Sequence, residues 1–154
     1  MTGRKTSFSS VTYVRTTPEK VFEAITKPDI TSQFWGHENV SDWKPGSKWR
    51  HIRADKERPV EIVGKVVEVS PPSRLVTTWA AESRADDPDS YSRVTYEIED
   101  YDSMVRLTVI HDELEAGSGM AVGISKGWPL VLSSMKSFLE TDSGIDLSAK
   151  PKAA

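Results

Sequence analysis

From Ser47 to Asp112 the chain alternates apolar and polar residues, and beyond Gly119 the alternation stops; that change of period restricts the fold more than any other feature. Trp49 and His51 share one face of a segment whose other face carries Lys48, Arg50 and Ile52, and a charged loop, Arg53 to Pro59, leads to a strand from Val60 to Val69. Pro71 and Pro72 force a turn. Leu75, Thr77 and Trp79 share the next face, then Val94, Tyr96 and Ile98, and finally Val105, Leu107, Val109 and His111, with Arg106 and Thr108 opposite. Two-residue spacing of this kind belongs to half-buried strands of an antiparallel meander. Trp128, Leu132, Met135 and Leu139 then fall at i, i+4, i+7 and i+11, one apolar helix face. A sheet with one apolar face and a helix with one apolar stripe cover each other.

The N-terminal part supplies what precedes the meander. Ser7 to Arg15 is rich in β-branched and aromatic residues and reads as a strand, and Thr17-Pro18-Glu19 starts a helix with Thr17 as N-cap. Val21, Phe22 and Ile25 form its apolar stripe. Pro28 interrupts it, and Asp29 to Phe34 makes a second short helix ending at Trp35-Gly36, with His37 in the loop beyond. In the last helix Gly123 and Gly127 each cost about 1 kcal/mol relative to Ala, and Pro129 is expected to kink or restart it. A pliable first half follows. The 154 residues suit a single domain, 1–154, with a core over about 7–142 and a tail, 143–154, without period or core residues and expected to be disordered.

Composition excludes several functions. There is no cysteine, so thiol catalysis, disulfides and thiolate metal sites are out, and three histidines without short spacing do not make a metal ligand set. Asp86, Asp87 and Asp89 lack a calcium loop's glycine and terminal glutamate and read as a solvated hairpin tip. The N-terminus has no apolar signal region and no run reaches the roughly 18 residues that span a bilayer. A net charge of −3, with basic residues scattered among 23 acidic ones, leaves no footprint for nucleic acid or an anionic membrane. A cytoplasmic protein without membrane insertion, metal or cofactor is expected. Gly117 to Gly123 matches a glycine pattern of dinucleotide sites, but no parallel strand can follow the helix, so these glycines read as a flexible start to it.

Several runs carry a resemblance: Thr16-Thr17-Pro18-Glu19-Lys20-Val21-Phe22-Glu23-Ala24, Ser41-Asp42-Trp43-Lys44-Pro45-Gly46, Gly64-Lys65-Val66 with Pro71-Pro72-Ser73-Arg74-Leu75, Leu107-Thr108-Val109-Ile110-His111-Asp112, and Gly127-Trp128-Pro129 with Leu132-Ser133-Ser134-Met135-Lys136. In this order, over residues 9–141, they resemble bacterial proteins related to the activator of the Hsp-90 ATPase, within the START-like (SRPBCC) superfamily. The family often has a glycine turn between its third and fourth strands, where this chain has Ala54-Asp55-Lys56-Glu57-Arg58. The resemblance implies an α+β helix-grip fold: strand, two helices, a six-strand antiparallel meander, and a long C-terminal helix packed on the curved sheet with an apolar cavity between.

Alternation and the helical stripe together select the lining of that cavity: Trp49, His51, Trp79, Tyr96, Leu107, Val109 and His111 from the sheet, and Ile124, Trp128, Val131, Leu132 and Met135 from the helix. Of the five tryptophans, Trp35 and Trp43 are expected to fix the short helices and the Ser41 to Gly46 turn to the sheet's edge. Any one of these residues taken alone reads as ordinary core, yet a core of small aliphatics would hold fewer indoles, and a buried indole or imidazole needs a partner. The expected function is binding of a small hydrophobic molecule, lipid-, polyketide- or flavonoid-like. By analogy to relatives on the fold, an enzyme of the cyclase or hydrolase type would use His111 or His51, with Tyr96, as acid–base groups. A co-chaperone or stress-response module with a protein partner is the third class.

Overall fold

The computed structural model describes residues 4–152. Seven strands form one antiparallel sheet in the order β1-β7-β6-β5-β4-β3-β2, with β1 Lys5–Val14, β2 His37–Ser41, β3 Lys48–Arg53, β4 Val60–Ser70, β5 Arg74–Ala81, β6 Ser92–Asp100 and β7 Val105–Glu115. Strands β2 to β7 are the six-strand meander, and β1 returns to pair with β7. Helices α1 Pro18–Thr26 and α2 Pro28–Trp35 link β1 to β2, and α3 Gly119–Thr141 packs across the sheet. The architecture is the α+β helix-grip fold.

The alternating faces are in register. Leu75, Val94, Val105, Leu107, Val109 and His111 are wholly buried on the face toward α3. Ile52, assigned by strict alternation to the opposite side, is buried too, because a bulge between His51 and Ile52 shifts the β3–β4 register. His37 lies in β2 and not in a loop. Its strand, His37 to Ser41, was invisible to the alternation because the one residue it buries fully is polar, Asn39, while Val40 stays half-exposed. In the loop without glycine, Arg58 takes the left-handed conformation with φ 51, and Asp55 Oδ1 accepts the N–H groups of Glu57 and Arg58 at 3.0 Å, so a carboxylate organises the turn.

Thr17 caps α1, its hydroxyl accepting the Lys20 N–H at 3.3 Å, and Gly36 at φ 70 ends α2. Trp43 donates its indole N–H to the Thr26 carbonyl at 2.9 Å and pins the β2–β3 turn to the end of α1, as expected. Helix α3 runs unbroken through Pro129 instead of restarting there. Pro129 and Ser125, whose carbonyl loses its partner, both face solvent, where water takes up the freed acceptor.

Part of the tail expected to be disordered is docked. The buried Ser134 hydroxyl on α3 donates to the Phe34 carbonyl at 2.6 Å and accepts the Ile145 N–H at 3.0 Å, and Leu147 packs against the core. A side chain on Gly144 would sit 3.0 Å from the Gln33 carbonyl, which is why glycine closes this junction. Polar and isolated in sequence, Ser134 gave no periodic signal for that contact.

Candidate functional site

A pocket of about 370 Å³ opens between the β2–β5 half of the sheet and the first half of α3. Trp79 on β5, His51 on β3 and Ile62 on β4 form its floor, Trp35 at the end of α2 closes one side, and Ile124, Trp128 and Val131 descend from α3. Gly123 and Gly127 also line it, one turn apart, and a Cβ built on either meets no atom within 4 Å. Neither glycine has a positive φ or a close neighbour that would require it. Their consequence is space: two missing side chains on the face that looks into the pocket.

The aromatic walls touch. Ring centroids are 5.4 Å apart for Trp35 and Trp128, 5.7 Å for Trp79 and Trp128, and 4.7 Å for Trp35 and His51. Trp79 directs its indole N–H at the Met120 sulfur, 3.4 Å away.

The polar groups are concentrated at one end. Asn39 donates its side-chain amide to the Ile25 carbonyl at 2.9 Å, so its Oδ1 is the atom that meets His51 Nδ1 at 2.6 Å and must accept. The Nδ1 of His51 therefore carries the proton, and its Nε2, with no partner among the described residues, keeps a free lone pair. Burial and the neighbouring His37 push the His51 pKa well below the usual histidine value, so the ring is neutral. His37 stacks on it at 4.1 Å, 3° from parallel. The other two contacts of His37 are both acceptors: Nδ1 faces the Trp35 carbonyl at 3.1 Å, and Nε2 faces Glu61 Oε1 at 2.5 Å. His37 and Glu61 thus form a paired polar contact at the pocket's rim.

His111 is differently placed. Trp128 donates its indole N–H to His111 Nδ1 at 3.0 Å, His111 Nε2 donates to the Ser92 hydroxyl at 2.7 Å, and that hydroxyl donates to the Trp79 carbonyl at 3.0 Å. The relay is complete, and both ring nitrogens are used in joining α3 to the sheet. Burial holds its pKa down to about 4. It has neither a free lone pair nor access to the pocket, which removes the geometric basis for an acid–base role. Tyr96 is not a lining residue either, and burial raises its pKa. Leu107, Val109, Leu132 and Met135 are core, no more than 2% exposed. Trp49 lies beneath the floor, packed on Trp79 with its indole N–H on the Thr78 carbonyl at 2.7 Å.

A family model, Activator of Hsp90 ATPase homolog 1-like protein, matches residues 15–140. The chain belongs to that family. Solved structures of other proteins superpose on this fold. The Aha1 dimer from Colwellia psychrerythraea gives a TM-score of 0.75 at 17% identity, covering 90% of this chain and 99% of that one. CalU16 from Micromonospora echinospora gives 0.68 at 19% identity over 88% and 77% of the two chains. An HSP90 activator from Plasmodium falciparum gives 0.66 at 23% identity over 79% and 86%. At these identities the likeness establishes the fold. No functionally curated protein sequence matches.

Within this Activator of Hsp90 ATPase homolog 1-like fold, the residues expected at the cavity divide into two layers. His51, Trp79, Ile124, Trp128 and Val131 meet at the pocket, while the other seven lie below or beside it. Sequence reasoning missed Trp35, His37, Glu61, Ile62, Gly123 and Gly127 as lining. Trp35, expected to anchor α2 to the sheet's edge, is a pocket wall because Gly36 turns the chain at the end of α2. The glycines were visible as a pair in an amphipathic helix, and their one-turn spacing was the available signal. Among the described residues no group of three or more His, Cys, Asp or Glu side chains is placed to hold a metal ion, and no helix is long and apolar enough to cross a membrane.

Proposed function

We propose that the protein binds a small, largely apolar molecule in the pocket between β2–β5 and α3. The observation that carries this reading is the pair of glycines: α3 forgoes roughly 2 kcal/mol of helix propensity at Gly123 and Gly127, with no packing requirement, and gains an aromatic-walled space. The volume lies at the lower end of the roughly 300–1,000 Å³ usual for small-molecule sites. Native mass spectrometry of the protein as purified is expected to show a retained small molecule. Gly127→Leu, which projects a side chain into the pocket, is expected to stabilise the fold by up to about 1 kcal/mol and to lose that molecule. Retention by a correctly folded variant would place the ligand elsewhere.

A second reading rests on the family. Structural relatives are described as an Aha1 dimer and as an HSP90 activator, and a protein partner of the same kind is the corresponding function here. Purified protein mixed with a bacterial Hsp90 homologue is then expected to raise its ATPase rate, and an unchanged rate together with no complex excludes this role.

A further inference from the structure

The chemistry of the ligand follows from a pocket-wall acceptor that has no partner among the described residues, Nε2 of His51, if the pocket is the binding site as proposed above. We propose that the site selects a small aromatic molecule bearing a single uncharged hydrogen-bond donor, a phenol-type hydroxyl, which donates to Nε2 of His51.

His51 is only 4% exposed, yet it lines the pocket and its Nε2 has no partner among the described residues. Its tautomer is not free to change. Asn39 cannot offer its amide to His51, because that amide is committed to the Ile25 carbonyl. The imidazole therefore presents an acceptor to the pocket, and a ligand that displaces water there keeps this acceptor paired only if it brings a donor such as a hydroxyl. Around it the walls are Trp35, Trp79 and Trp128, whose faces match a flat ring.

The same geometry disfavours charged ligands. A carboxylate would set its oxygens against the lone pair of His51 and near Glu61. No lysine or arginine is among the lining residues, and both ring nitrogens of His37 are already engaged, by Trp35 and Glu61. An ammonium would need a free carboxylate, and Glu61 is occupied by His37, with Arg53 Nη1 at 3.7 Å.

The test uses three probes on one ring system, 2-naphthol, 2-methoxynaphthalene and 2-naphthoate, titrated calorimetrically into the whole protein at neutral pH. 2-Naphthol is expected to bind roughly tenfold more tightly than its methyl ether, and the carboxylate more weakly than both. In ¹⁵N spectra of the imidazoles, the Nε2 signal of His51 should move with 2-naphthol and stay fixed with the ether. Equal affinities for naphthol and ether, a preference for the carboxylate, or a stationary Nε2 signal in the naphthol complex would overturn the donor assignment while leaving the pocket as a binding site. No binding of any probe would remove both readings. His51→Phe is expected to bind naphthol and ether alike; because it strands the Asn39 oxygen and can weaken the fold, the spectra of the unaltered protein stand as the independent measurement.

Discussion

Replacing Gly64 by alanine is expected to destabilise the protein by about 3 kcal/mol or more, enough to remove much of the stability of a domain this size. Gly64 is buried in β4 opposite Trp49, at the point where that indole crosses the strand to reach the Thr78 carbonyl. A Cβ at this position would lie 2.0 Å from the Thr78 carbonyl oxygen and 2.5 Å from Trp49 Nε1. The first of these atoms is backbone and cannot rotate away, so β4 and β5 must separate or the indole must abandon its hydrogen bond. Lys65 already donates its N–H to the Thr78 hydroxyl at 2.8 Å in place of a ladder bond, so this stretch has little spare pairing to give up. Urea unfolding of Gly64→Ala beside the wild type measures the effect, and a loss below about 1 kcal/mol would show that the strands relax more easily than the contacts allow.

Acid is expected to remove about 3 kcal/mol of stability between pH about 6.5 and about 4, through His111. The ring is neutral in the fold, with its pKa held at about 4 by burial, against 6.5 in an ordinary setting. The unfolded chain therefore takes up the proton first. Stability is complete above the unfolded value and declines as pH falls toward the folded one. Protonating Nδ1 also expels the Trp128 indole N–H, which then has no acceptor. His51, shifted in the same direction, adds to the same limb. The carboxylates with lowered pKa values, among them Glu38 beside Arg58 and Glu140 beside Lys136, act in the same direction but in a lower window: they are charged through most of this range and lose their contribution as pH falls below the usual value of 4.5. Urea midpoints across this pH range test the expectation. The limb should flatten in His111→Gln, which cannot take up a proton, and an unchanged limb in that variant would assign the acid lability to other groups.

Much of the fold was legible because it is periodic. The faces of β5, β6 and β7 and the stripe of α3 are buried as alternation and helical spacing require, although β5 also buries Val76 and Ala80 on its other face. Strand β2 was not legible, because an edge strand that buries an asparagine and half-exposes its valine has no period to read. The site was legible only where it coincides with the core pattern. His51, Trp79 and Trp128 were found that way, yet the same pattern drew in Leu107, Val109 and Met135, which share a face with them but lie deeper. Periodicity reports which side is buried and carries no information on depth. The roles of Asn39 and Glu61 depend on contacts between β2, β3, β4 and α1 that no local spacing encodes.

The chain of indoles running Trp35, Trp128, Trp79 and Trp49, with successive ring centroids 5.4, 5.7 and 5.5 Å apart, also has an optical consequence. At such separations the transition dipoles couple, so the near-ultraviolet circular dichroism should show paired bands of opposite sign, and excitation absorbed by any member migrates to the one of lowest energy. A molecule that touches Trp35, Trp79 or Trp128 would thus alter the emission of the whole set, and occupancy can be read from the unlabelled protein by light alone.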